Sequence, residues 1–219
     1  MEQTTYRLSI RTLFGSAWEH FKTRPWFFIG ITLFTIILST VFQDAADRVK
    51  EMSPLVAFFF SLATFFIETL VMMGYYSILM RSLGGSKPEF SELFTASPSF
   101  WYFLVTTILF GAAVVGGFIL LIIPGFMALS AWCLATLIVI DTGKKPVVAF
   151  RESARLTKGI RLQMLRFIIV TGIINCIGAL LFGVGLLVTY PVSFLASILL
   201  YRELSAHRAA SLPEETKTS

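Results

Sequence analysis

The residue best suited to chemistry is Glu68, in the stretch FFIETLVMMG, near the middle of an otherwise apolar run. A carboxyl group at that depth is costly in hydrocarbon, and such residues often mark proton or ion pathways. Glu68 is therefore a candidate to bind a proton or a cation, or to pair with a base from another helix. The structural alternative is a protonated Glu hydrogen-bonded to a neighbouring helix, or one that water reaches. Asn175, in FIIVTGIINCIGALL, is the second intramembrane polar candidate, and hydrogen bonding between helices is the usual use of such a residue. Arg151, Arg155, Lys158 and Arg161 are clustered in one short segment. They suit contact with acidic lipid headgroups and serve equally as a signal that orients the chain.

No catalytic set accompanies these residues. His20 and His207 stand in polar segments, and there is no HExxH, no GxSxG, no phosphate-binding glycine loop and no Cys/His cluster. Cys133 and Cys176 fall inside apolar runs and read as small buried hydrophobes. No catalytic residue, metal ligand or cofactor is expected, and the chain is not expected to be an enzyme.

The elements that must carry these residues follow from composition. The chain has 219 residues, 56% hydrophobic and only 14% charged, with mean hydropathy +0.78. A soluble domain has about 25% charged residues. The basic residues flank long apolar runs, so the net charge of +5 points to lipid headgroups and not to nucleic acid. Trp26–Phe42 and Pro54–Met80 are each long enough to cross a hydrocarbon core of about 30 Å. Phe100–Ile140 and Leu162–Tyr201 are each about twice that length and must turn back. The first run starts after a charged leader, so a cleaved signal peptide is not expected.

This predicts an all-α polytopic membrane bundle: six transmembrane helices as three hairpins, with a cytoplasmic in-plane amphipathic helix leading into each. The units span about residues 8–80, 88–140 and 146–204 of a single domain 1–205, with a flexible tail at 206–219. With the N-terminus inside, every Lys and Arg except Arg48 and Lys50 falls on the inner side, as the positive-inside rule requires of a cytoplasmic face. Both ends are then cytoplasmic. Ile10, Phe14, Trp18 and Phe21 share a helical face, as do Phe90, Leu93 and Phe94, and Val147, Phe150 and Ala154. A basic helix with one apolar face lies along a membrane surface.

The two double-length runs align without gaps, Gly116 to Pro124 against Gly183 to Pro191, which suggests an internal repeat. Their turns are expected at Gly116-Gly117 and at Gly183-Gly185, leaving Pro124-Gly125 and Pro191 inside the following helices as kinks. Turns at the prolines are the alternative, although the fourth helix is then only about 22 Å long. Small-residue pairs such as Ala113 with Gly117 allow close helix contact.

The stretch GGFILLIIPGFMALSAWCLATLIVIDTGKKPVVAFRESARLTKG resembles the core of a broad group of bacterial integral membrane proteins of uncharacterised function. That group includes the YciC-like inner-membrane proteins and the membrane domain fused to some glycerophosphodiester phosphodiesterases. The matching positions are Pro124-Gly125, Asp141, Gly143, Ala149, Ser153 and Leu156 to Gly159, and YPVSFLASILLYREL is similar to the group's last helix. The resemblance spans about residues 100–204. It implies a bacterial cytoplasmic membrane and no established reaction; no phosphodiesterase domain accompanies it.

The leading expectation is a non-enzymatic membrane protein that handles or organises lipid, or assists an envelope complex. Its partners would be membrane lipids and another membrane protein or a second copy. The alternative is a small proton- or ion-coupled transporter using Glu68. For the six-span topology, single cysteines at Ser53 and Ala209, in a chain lacking Cys133 and Cys176, are expected to react with an impermeant maleimide from opposite sides. Labelling of both from one side contradicts six spans.

Overall fold

The computed structural model describes residues 8–94, 98–181 and 183–210, without the side chains of 50–52. Among these residues every regular element is a helix. α1 is Ile10–Thr23, α2 Pro25–Met52, α3 Pro54–Leu83, α4 Phe100–Leu120, α5 Ile122–Trp132, α6 Ala135–Thr142, α7 Pro146–Leu156, α8 Arg161–Leu180 and α9 Leu186–Ala210; a 3-10 turn covers Phe90–Phe94. Six stretches are long and apolar enough to cross a membrane: Pro25–Val49, Pro54–Leu83, Phe100–Leu120, Ile122–Thr142, Arg161–Leu180 and Leu186–Ala210. Lipid offers the backbone no hydrogen-bond partner, so a run of this apolarity must pair its own amides along a helix.

α9 is the central post, packed against α1, α2, α3, α7 and α8. Tyr75 of α3 is fully buried beside it. Its ring meets Tyr190 and Phe194 at 5.8 and 5.7 Å, and its hydroxyl shares a 2.9 Å hydrogen bond with Thr32 of α2. One aromatic side chain thus ties α2, α3 and α9 together, with its polar end satisfied as burial demands.

The turns differ from the sequence expectation in two hairpins. In the first, the polar stretch QDAADRVKEMS is not a loop. α2 continues through it to Met52, and only Ser53 is non-helical, extended at φ −159 and ψ 125, before Pro54 opens α3. Proline is at home in a first helical turn because its missing N–H has no partner there anyway. In the second hairpin, Gly116 and Gly117 lie inside α4, and the chain reverses at Leu121 in an extended conformation (φ −167, ψ 150) that any residue adopts. Pro124 is the third residue of α5, where it removes no intrahelical bond.

The glycines of the second hairpin serve a different purpose. A Cβ on Gly117 would lie 2.9 Å from the Gly125 backbone, and one on Gly125 would lie 2.6 Å from the Phe118 ring. They let α4 and α5 touch. In the third hairpin the turn does lie at the glycines, with Gly183 at φ +74, a conformation costly for any other residue. Gly185 closes against Gly178 in the same way, with a Cβ on Gly185 only 2.6 Å from the Gly178 carbonyl oxygen. The two hairpins therefore share a glycine clasp, Gly117 with Gly125 and Gly178 with Gly185, but not the gap-free register. Pro191 stands within α9, as expected.

The segments between hairpins pack on protein more than expected. α1 buries Leu13, Ala17 and Phe21, while Trp18 is 43% exposed. The face against the bundle is thus rotated from the expected one toward α9, although Phe14 of the expected face still meets Phe167 of α8. Among its described residues, the second segment forms a 3-10 turn at Phe90–Phe94. Leu93 is buried against Gly74, where a Cβ would fall 2.2 Å from the Leu93 carbonyl oxygen, and Phe90 and Phe94 meet Phe27 and Phe34 edge to face. α7 buries Ala149, Ser153 and Leu156 and leaves Val147 exposed. The expected tail from 206 is helical to Ala210; its remainder lies outside the described residues.

Gly74 is the tightest of these approaches to backbone. Gly74→Ala is expected to cost about 1–3 kcal/mol by overpacking and to lower the melting temperature in detergent. Gly111→Ala, with open space at the site, should match wild type or exceed it slightly. Equal melting of both variants contradicts the close seat of Leu93 on α3.

Candidate functional site

The basic end of the bundle is built by α7 packing on α5, α6 and the end of α9. α7 is fixed there by hydroxyls. The fourth span breaks after Trp132, between α5 and α6, and the Ala131 carbonyl receives hydrogen bonds from Ser153 Oγ at 2.8 Å and Thr157 Oγ1 at 3.3 Å. Both hydroxyl residues are fully buried. A broken helix leaves a carbonyl without its usual amide, and a buried orphan acceptor is costly; the Ser153 hydroxyl of α7 removes that cost, while Thr157, just past the end of α7, lies closer to the Ser153 carbonyl at 3.0 Å. Gly143 ends α6 at φ +65, and Tyr201 of α9 donates to Asp141 Oδ2 at 2.7 Å. This latches the fourth span to α9.

With its apolar side held down, α7 turns its cations outward. Arg151, Arg155, Lys158 and Arg161 are all exposed, and none forms an ion pair among the described residues. Beside them is a cavity of about 240 Å³ lined by Glu152, Arg155, Leu156, Ser205, Arg208 and Ala209. Arg208 donates from Nη1 to the Arg155 carbonyl, which brings two arginines to one cavity. Glu152 is already engaged by Lys144 at 2.6 Å, so that carboxylate does not neutralise Arg155. Arg208 was not singled out by the sequence, because the turn at 157–160 and the packing of α7 on α9 are what bring it to Arg155.

A second polar cluster joins α1 to the ends of α3 and α9. His20 Nε2 lies 2.9 Å from Ser82 Oγ, and Arg202 donates to the Met80 carbonyl at 2.8 Å. Burial, and then the positive charge of Arg202, hold the His20 imidazole below its ordinary pKa. This cluster closes α1 onto the bundle and brings no further titratable group to the basic cavity.

The two intramembrane candidates are separated from that end and from each other. Asn175 donates from Nδ2 to Ser193 Oγ at 3.0 Å and to the Thr171 carbonyl at 3.0 Å, so it joins α8 to α9. Glu68 is half-buried on the same face of α3 as Thr64, Val71 and Tyr75, and its Oε1 is buried without a hydrogen-bond partner among the described residues. The structure thus supplies an interhelical partner for Asn175 and none for that oxygen of Glu68. Gly116, Gly117, Pro124, Gly125, Gly183, Gly185 and Pro191 form the far end of the second and third hairpins, away from the basic cavity. Among the described residues no group of three or more His, Cys, Asp or Glu side chains is placed to hold a metal ion.

Fold and surface together define a polytopic all-α membrane protein with a cationic patch and cavity at one end. No protein-family model, curated protein or solved structure matches the chain.

Proposed function

We propose that this is a non-enzymatic protein of a bacterial cytoplasmic membrane that binds anionic lipid headgroups at its basic end and so organises or handles lipid. The cavity flanked by Arg155 and Arg208 carries this reading, together with the exposed Arg151, Lys158 and Arg161 around it. A phosphate diester is small, anionic and rich in acceptors, and guanidinium groups meet such oxygens in pairs. The lysine and arginine distribution supports a cytoplasmic basic end, where anionic lipid gives each cation near the surface about 1 kcal/mol. The resemblance to the YciC-like group, and a role assisting another envelope complex, belong to the same reading.

The test is native mass spectrometry of the full chain released from membranes that contain phosphatidylglycerol. Wild type is expected to carry anionic phospholipid. Arg155→Gln with Arg208→Gln removes two cations worth about 2 kcal/mol together, roughly a thirtyfold loss of retained lipid. Unchanged lipid retention in that double variant contradicts the headgroup reading.

A second reading is favoured by one observation, the buried and unpartnered Oε1 of Glu68. An intramembrane carboxylate with an open acceptor suits a coupled proton or cation. In vesicles, Glu68→Gln should abolish any proton flux that the wild-type chain supports, because glutamine keeps the shape and loses the titration. Equal flux in the two proteins, or none in either, removes the transporter reading.

A further inference from the structure

The first hairpin is longer than a bilayer requires. α2 has 28 residues and α3 has 30, about 42 and 45 Å of helix against a hydrocarbon core of about 30 Å. α2 begins beside Arg24 and α3 ends beside Arg81, so both are anchored at the basic end. Their surplus therefore accumulates at the opposite end, about eight to ten residues on each side of Ser53. α4 and α8, with 21 and 20 residues, have no such surplus.

The two helices of this tip differ in character. α2 brings Gln43, Asp44, Asp47 and Arg48, all exposed, with Arg48 Nε on Asp44 Oδ2 at 2.9 Å. α3 brings Leu55, Phe58, Phe59 and Leu62, which are 69%, 63%, 60% and 43% exposed. Steps of three and four place these four on one helical face. Ala46 of α2 and Ala57 of α3 are buried. The apolar stripe continues into Phe65, also exposed, in the part of α3 that crosses the hydrocarbon.

We propose that the tip of the α2–α3 hairpin is a membrane-surface element: its α3 face sits in the headgroup layer of the leaflet farther from the basic end, and α2 faces water. Three features select lipid as the occupant. The stripe on α3 is continuous with the surface that already faces the acyl chains. Polar and apolar residues are divided between two adjacent helices, which gives the tip one side suited to water and one suited to lipid. The surplus of about 12–15 Å is also sufficient, since two headgroup layers bring a bilayer to about 40–45 Å, about 5–8 Å for each, so the tip spans the one layer it enters. This surface lies at the other end of the molecule from the Arg155–Arg208 cavity and goes beyond the function proposed for that end.

The test uses the full chain with Cys133→Ser and Cys176→Ser, carrying one bimane-labelled cysteine from Phe59→Cys or Asp47→Cys. It is reconstituted in vesicles of phosphatidylglycerol and phosphatidylcholine, with or without a lipid bearing a nitroxide at headgroup depth, and with iodide on both sides. The probe at 59 should show blue-shifted emission, strong quenching by the nitroxide lipid and loss of iodide quenching. The probe at 47 should remain open to iodide. Leu55→Cys gives the same reading if Phe59→Cys does not fold. Equal iodide quenching at 59 and 47 places the tip in water and overturns the proposal. Shielding of 59 from both quenchers also overturns it: shielding relieved by diluting the chain in lipid means a second copy covers the stripe, and shielding that survives dilution means the chain's own residues do.

Discussion

Hydrocarbon cannot hydrogen-bond a peptide group, and most of this structure answers that constraint. Each span is a helix because only a helix pairs every amide within its own segment. Where a span is interrupted, the freed group is met by side chains. The break after Trp132 has its carbonyl at Ala131 covered by Ser153 of α7, with Thr157 just past the end of that helix also in reach. α7 is thus more than a connector between hairpins, since its buried Ser153 hydroxyl completes a transmembrane helix. The same hydrogen bonds set which face of α7 is left for Arg151 and Arg155.

Within lipid, helices gain little from hiding apolar surface and rely on close contact. Here that contact is made at glycines. Gly117 meets Gly125, Gly178 meets Gly185, and Gly74 receives the Leu93 backbone. The first two draw each later hairpin together next to its turn, and the third seats the connecting segment against α3. Aromatic packing around Tyr75, Tyr190 and Phe194 then joins the first hairpin to the last. The bundle is consequently held by α9, which reaches α1, α2, α3, α7 and α8.

The two ends of the molecule are chemically distinct. At one end, Arg155 and Arg208 line a small cavity whose carboxylate, Glu152, is bound to Lys144. At the other, the second and third hairpins close in tight turns, and the longer helices of the first bring the polar end of α2 beside the apolar start of α3. Glu68 belongs to neither end. It lies along the first hairpin with one oxygen buried and unpartnered.

The sequence by itself determined the fold class and the number of spans, because apolar run length is compared with a fixed bilayer thickness and needs no partner. It also isolated Glu68, Asn175 and the α7 cations, since a polar group in an apolar run, or a basic group beside one, stands out locally. The third hairpin turns at Gly183–Gly185, as its glycines indicated, but tertiary structure decided where the first two turn. Leu121 reverses the second hairpin although glycines stand nearby, because an extended residue is enough for a turn and the glycines are needed where two backbones meet. The length of α2 was hidden by its charges: polarity indicates an exit from hydrocarbon, whereas a helix in water can continue as far as Met52. The face of α1 and the pairing of Arg155 with Arg208 were equally illegible, because each depends on which helix lies alongside, and that is set by contacts between residues distant in the chain.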